Sequence, residues 1–205
     1  MISELKISEL KDSFCDLLRS VGRPHTEEVI SELESIGFFR SPASSKYHLS
    51  CEGGLLAHSM NTYRMATLLV NDLRLFRSDM PSSDSIIIAS LLHDISKAQR
   101  YVKQPDGSYL KDYSRFPAGH GEKSVIQLLR IGYPLTDKEI LAIEYHMGAF
   151  RLPLHCEEAD KDYREACKYP LVPIIHAADT LAAQVIEVEQ LTDSFPSGTT
   201  FYEDG

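Results

Sequence analysis

Ser90-Leu91-Leu92-His93-Asp94-Ile95-Ser96-Lys97 decides how the rest of this 205-residue chain is read. An imidazole and a carboxylate side by side, after an apolar run, cost free energy to bury unless something charged or hydrogen-bonding compensates both. A divalent cation does so, and so does the plainer arrangement of a core histidine beside a helix-terminal aspartate. The run in front of the pair, Ile86, Ile87, Ile88, Ala89, Leu91 and Leu92, is apolar nearly all round. A helix of that kind, expected from near Asp84 to Ile95, is central in its domain, with His93 and Asp94 emerging from the core at its C-terminal end. If the helix continues, Lys97 follows one turn after His93 on the same face.

Working outward, four more apolar, helix-like segments each carry one histidine or aspartate. Gly53-Gly54-Leu55-Leu56-Ala57-His58 opens a helix running to about Phe76, and the glycines let the backbone approach whatever His58 touches. Gly119-His120-Gly121 starts another helix, to about Ile131. Thr136-Asp137-Lys138-Glu139 is a capping-box pattern for a helix reaching His146. A last long helix, Leu171 to about Leu191, has Pro173 in its first turn and Asp179 in its apolar stretch. Imidazole and carboxylate donors without thiolate suit Mn, Fe, Ni, Zn or Mg in a chemical site better than a structural zinc. The plainer alternatives are a helix-start residue for His120 and a buried helix-end histidine for His146. His176, one turn before Asp179, reads as support or core packing, and His25, His48 and His155 read as surface residues without a role.

The remaining segments frame these five. Leu5, Leu10, Phe14, Leu17 and Leu18 have helical spacing over residues 4 to 20. Pro24 suits the start of a second helix with Val29, Ile30, Leu33 and Ile36 on one face and Gly37 at its end. Tyr101-Val102-Lys103-Gln104 and Tyr109-Leu110-Lys111-Asp112-Tyr113 flank Pro105-Asp106-Gly107-Ser108, which predicts a β-hairpin within residues 100–115. Residues 147 to 169 read as irregular, with the charged run from Glu157 to Asp162 a solvated loop or short helix. The chain is therefore expected to be one all-α domain over 1–191, with 1–50 an N-terminal helical extension, 53–191 the metal-binding core and 192–205 a flexible tail.

A hydrophobic content of 43% is enough for one sizeable core, whereas a net charge of −9 argues against a surface that holds long nucleic acid. A small anion beside a buried cation remains compatible with that charge. Cys15, Cys51, Cys156 and Cys167 lack paired spacing and read as reduced thiols. The N-terminus shows no signal-peptide pattern, and no stretch approaches the roughly 18 apolar residues of a membrane span, so a cytoplasmic protein is expected.

The words GGLLAHS, LLHDISK and HAADTLAAQ, in that order, resemble the HD-domain superfamily of metal-dependent phosphohydrolases over about residues 53 to 185. The resemblance implies an HD-type helical bundle, with His58, His93, Asp94 and Asp179 as the core metal ligands. His120 and His146 match the extra pair of relatives that bind two divalent ions, where Asp94 would bridge both. It further implies a hydroxide held between the ions as nucleophile, with Asp94 and Lys97 catalytic and Lys97 near the phosphate. The substrate would be a nucleotide or another small phosphoester. Tyr101, Lys103 and Arg115 on or beside the hairpin are candidate substrate contacts, as a base-stacking and phosphate-holding lid or as an ordinary amphipathic surface. The same ligand pattern also resembles HD-type di-iron oxygenases acting on a polyol or phosphonate. The HD portion of bacterial 3′–5′ exoribonucleases is similar in its words and hairpin position. A binding module that kept the fold without catalysis is the third class. Metal identity, mono- or diester preference and homo-oligomer formation stay open.

Overall fold

The computed structural model describes residues 2–112, 119–148 and 157–188. Tyr113, Arg115, His155, Cys156 and the tail from residue 192 lie outside them. Among the described residues there are eight α-helices and one two-stranded hairpin. No helix among them is long and apolar enough to cross a membrane.

Helix α1 (Glu4–Ser20) is capped by Ser3, whose hydroxyl accepts from the Lys6 amide. Its buried stripe is Ile7, Leu10, Phe14, Cys15 and Leu18, while Leu5, expected inside, is exposed. Ile7, three before Leu10, completes the buried face in its place. Helix α2 (Thr26–Ser35) begins two residues after Pro24, which lies in the turn ahead of it. His25 takes the left-handed conformation there (φ 63°) and sets the later start. Phe14, Phe38 and Phe39 meet at ring-centroid distances of 5.4–5.6 Å. Burial of such a side chain contributes about 1.5–3 kcal/mol. One apolar cluster runs from α1 and α2 through the central helices, so both N-terminal helices share the core.

Helix α3 (Gly54–Leu73) lies against α8 (Leu171–Leu181) and α4 (Ser83–Leu92), and α6 (Asp137–Glu144) packs on α8 and on α5 (His120–Ile131). The close approach at Gly54 differs from expectation. A Cβ there would stand 2.1 Å from the Leu49 carbonyl oxygen, so the glycine accommodates the 43–49 loop rather than a ligand of His58. That loop seats His48.

Helix α4 ends at Leu92, short of the expected Ile95, because Asp94 leaves helical geometry (φ −115°, ψ 15°) and a 3₁₀ turn follows over Ile95–Gln99. Lys97 is therefore placed by that tighter turn, its amide donating to the Asp94 carbonyl, rather than by a continuing helix. Strands β1 (Tyr101–Lys103) and β2 (Tyr109–Lys111) pair antiparallel with Tyr101 opposite Lys111. The charged run forms helix α7 (Glu157–Ala166). Helix α8 gives way to a π turn over Ala182–Ile186, where a regular helix to Leu191 was expected. Glu139, with no exposed surface, ties three elements together. It accepts two bonds from Arg23, one from the Ser85 hydroxyl of α4 and one from the Thr136 amide.

Candidate metal centre

Five elements deliver the six side chains singled out by the sequence to one buried point. His58 comes from the second turn of α3 and His93 from the C-cap of α4, with Asp94 next to it. His120 opens α5, His146 follows α6, and Asp179 lies on α8. The meeting of His120 and His146 depends on Gly121. A Cβ there would lie 2.5 Å from the Glu144 carbonyl oxygen, so only glycine lets the start of α5 touch the end of α6. The two rings stand 5.0 Å apart.

Asp94 is the centre. Its Oδ2 faces His93 Nε2 at 3.2 Å and His58 Nε2 at 3.6 Å, and Asp179 Oδ1 closes that side at 3.0 Å from His58 Nε2. Its Oδ1 faces His146 Nε2 at 3.4 Å and His120 Nε2 at 3.8 Å. The cluster therefore has two lobes sharing one carboxylate: four groups on the Oδ2 side and three on the Oδ1 side.

Hydrogen bonds outside the cluster fix how the rings face it. Nδ1 of His93 donates to the Ser90 carbonyl, Nδ1 of His146 to the Ile143 carbonyl, and Nδ1 of His58 to Glu187. In a neutral ring that leaves the Nε2 lone pair pointing inward. His120 differs. Its Nδ1 lies 3.2 Å from Nη1 of Arg100, and a guanidinium only donates, so the neutral His120 ring carries its proton on Nε2.

Asp94 Oδ1 and Nε2 of His120 and His146 are buried without a hydrogen-bond partner, and Oδ2 of Asp94 meets the Lys97 ammonium. These imidazole nitrogens and carboxylate oxygens, within 4.8 Å of one another in overlapping triads, are placed to hold a cation between them. The donor set, all imidazole nitrogen and carboxylate oxygen, fits a divalent ion of the Mn, Fe, Ni, Zn or Mg type.

The charges agree. Burial opposes ionisation of Asp94, but Lys97 at 2.5 Å from Oδ2 and then His93 outweigh it and hold the carboxyl well below its usual range. Burial likewise opposes ionised Asp179, and His58 overrides it, so that carboxyl is also held down. Burial alone would depress His58, yet Glu187, Asp179 and Asp94 together raise it well above the ordinary histidine range. A proton on His58 thus stands where a cation would. Burial pushes His93 down and His120 down to about 3. Burial would lower Lys97, but Asp94 and Asp179 keep its ammonium charged.

Beside the cluster is a cavity of about 660 Å³ whose lining includes Lys97, Arg100, Tyr101, Lys111, Thr180 and Gln184. Of the expected substrate contacts, Lys97 and Tyr101 line it. Lys103 does not. The register puts it at the turn end of the hairpin, 3.6 Å from Glu52, whereas Lys111 opposite Tyr101 reaches the cavity. Arg115 lies outside the described residues. His176 donates from Nδ1 to the His146 carbonyl and supports that turn.

Three residues escaped the sequence reading. Glu187 is fully buried on His58, Arg100 bonds His120, and His48, expected on the surface, has its ring 5.1 Å from that of His58. The spacing of Lys97 after His93 hinted at one cation here, and no sequence signal pointed to Arg100. Nothing in the local sequence marked Glu187 or His48.

Residues 55–184 match the HD domain family model. The chain is similar to dihydroneopterin 2′,3′-cyclic phosphate phosphodiesterase of Methanocaldococcus jannaschii, 27% identical over 142 residues, which is 69% of this chain. The match spans 55% of that protein's length, little more than half. No solved structure matches the chain. The chain belongs to the HD-domain family.

Proposed function

We propose that this HD-domain chain is a metal-dependent phosphohydrolase of a small phosphoester, and that its substrate is a phosphodiester such as a cyclic phosphate on a heteroaromatic alcohol. The observation that carries the proposal is the two-lobed cluster around Asp94 opening onto a cavity with Lys97, Arg100 and Lys111 on its wall. Three cations facing a cavity in a chain of net charge −9 favour an anionic substrate small enough for that cavity. The relative's named substrate class supports a cyclic phosphate. We take residues 1–191 as one working unit, because α1 and α2 share the core on which α3 and α4 rest.

In this reading His58, His93, Asp94 and Asp179 hold one divalent ion. Asp94, His120 and His146 hold a second. The ions, when bound, supply an activated water and polarise the phosphorus–oxygen bonds. The protein's own part is binding and charge placement. Asp94 serves both lobes with its two oxygens. Lys97 has three donors and spends one direction on Asp94, so the others face the cavity and bind a non-bridging phosphate oxygen. Lys111 and Tyr101 steer and stack the substrate at the hairpin wall. Arg100 sets a condition on the second ion. While it donates to Nδ1 of His120, Nε2 keeps its proton, so His120 would hold an ion only with the Arg100 guanidinium turned away from Nδ1.

The test is a panel of monoesters, linear diesters and 2′,3′-cyclic phosphates, assayed with Mn, Fe(II), Ni, Zn or Mg after chelation. Metal-restored cleavage of a small cyclic phosphate, lost in Asp94→Asn, is expected. Oxygen consumption with a polyol or phosphonate, without phosphoester cleavage under any metal, would establish the oxidative chemistry instead. Preference for oligoribonucleotides would move the assignment to the exoribonuclease-like class.

A further inference from the structure

Glu187 and His48 both fall outside the span matched by the family model, yet both border the cavity beside the metal cluster and meet His58. Glu187 Oε1 and Oε2 lie 3.0 and 3.2 Å from Nδ1 of His58, and Asn61 donates to Oε1 at 3.2 Å. The carboxylate has no exposed surface. On the opposite edge of the same ring, Asp179 Oδ1 is 3.0 Å from Nε2. His58 is therefore clamped between two carboxylates supplied by one stretch of chain.

The π turn explains how one stretch supplies both. At about 100° per residue, eight residues of regular α-helix would carry Glu187 about 80° past the face of Asp179. The wider turn over Ala182–Ile186, closed by the Glu187 amide on the Ala182 carbonyl, advances less per residue and returns Glu187 to that face. The irregularity sits where a buried carboxylate is delivered to a ring nitrogen.

We infer that Glu187 is a positioning residue for the first ion: it locks His58 as the Nδ1–H tautomer and aims its Nε2 lone pair at the Oδ2 lobe of Asp94. The inference rests on the metal-centre reading above. A buried carboxylate on the far nitrogen fixes ring orientation and makes the ligand nitrogen more basic. His48, with Nε2 3.9 Å from Glu187 Oε2, stands at the cavity side of the clamp. His48, His58 and Glu187 also form a triad within 4.8 Å, but it is not a further cation site. An ion there would have to displace the Nδ1 proton that Glu187 holds.

The experiment measures affinity for Mn²⁺ and Zn²⁺ by competition with a chromophoric chelator, and the visible spectrum of the Co²⁺-loaded protein. The proteins are wild type, Glu187→Gln, Glu187→Ala, His120→Ala and His58→Ala. Glu187→Ala should weaken the tighter ion by about 10–100-fold and shift the Co²⁺ spectrum. Glu187→Gln, which still accepts from Nδ1 and keeps the shape of the clamp, should recover most of that loss. His120→Ala should leave the tighter ion unchanged. Wild-type affinity and spectrum in folded Glu187→Ala, with the ion lost in His58→Ala, overturn this inference alone. Retention of the tighter ion at wild-type affinity in His58→Ala overturns the metal-centre reading beneath it.

Discussion

Replacing Asp94 with Asn removes one negative charge from the point where both lobes meet while keeping the side-chain volume. Lys97 Nζ lies 2.5 Å from Asp94 Oδ2 with its side chain 11% exposed, so the ammonium has little access to water. At that separation two unit charges attract by about 7 kcal/mol at an effective dielectric of about 20. Asp179 also favours the charged lysine and remains in the variant, and a buried ammonium can shed its proton. Both soften the loss. The expected destabilisation of the chelated protein at neutral pH is therefore about 3–5 kcal/mol, the range for breaking a buried pair from one side. Urea unfolding of wild type, Asp94→Asn, Lys97→Met and the double variant measures it. The double variant should be less destabilised than the two singles added together, by about 2 kcal/mol or more, since removing both charges leaves neither unpaired. Added Mn²⁺ should raise the wild-type midpoint and leave that of Asp94→Asn in place. A single variant within about 1 kcal/mol of wild type, or strict additivity, would refute the charge-pair account of the centre.

His120→Ala should lower bound metal from two ions to one by elemental analysis, and Arg100→Gln should tighten the weaker ion, since nothing then holds the proton on His120 Nε2; an unchanged stoichiometry in the first rejects the second lobe. Lys97→Met should reduce kcat/KM for the phosphoester by about 10²–10³-fold, the range for losing one preorganised charge contact, with steady-state kinetics as the check. Gly121→Ala, whose Cβ would meet the Glu144 carbonyl at 2.5 Å, should cost about 1–3 kcal/mol in thermal unfolding and lose the weaker ion first. Burial opposes the ionised Glu139 carboxyl, but Arg23 and the Thr136 amide hold it below its usual range. Its contribution is thus complete above the ordinary carboxylate range and fades as pH falls through it. The deficit of Glu139→Gln against wild type, about 3–5 kcal/mol at neutral pH, should shrink between about pH 5 and pH 3, followed by urea unfolding.

The mostly helical fold, the hairpin after the metal word and the six metal-type side chains were legible because each leaves a local signal. Helical periodicity, a turn dipeptide between alternating runs, and histidines or aspartates inside apolar segments are all properties of neighbouring residues. Ile86 to Leu92 is apolar nearly all round, and that pattern places the helix centrally and its terminal His93-Asp94 pair in the interior. The three words that resemble the HD family rest on such short-range patterns too.

What the tertiary structure decided depends on residues that meet only after folding. Whether Lys97 follows a helix or a 3₁₀ turn depends on the backbone break at Asp94, which no residue in LLHDISK announces. The division of the cluster into two lobes follows from the contact of α5 with α6 at Gly121, and the proton on His120 from Arg100 across the cavity edge. Glu187, 129 positions from His58, carries no local mark of its role, and a π turn brings it onto the His58 ring. Sequence fixes which groups are available for ligation through local chemistry. Which proton each ring carries, and therefore which nitrogen can bind an ion, is set by partners that only the folded chain brings within hydrogen-bonding distance.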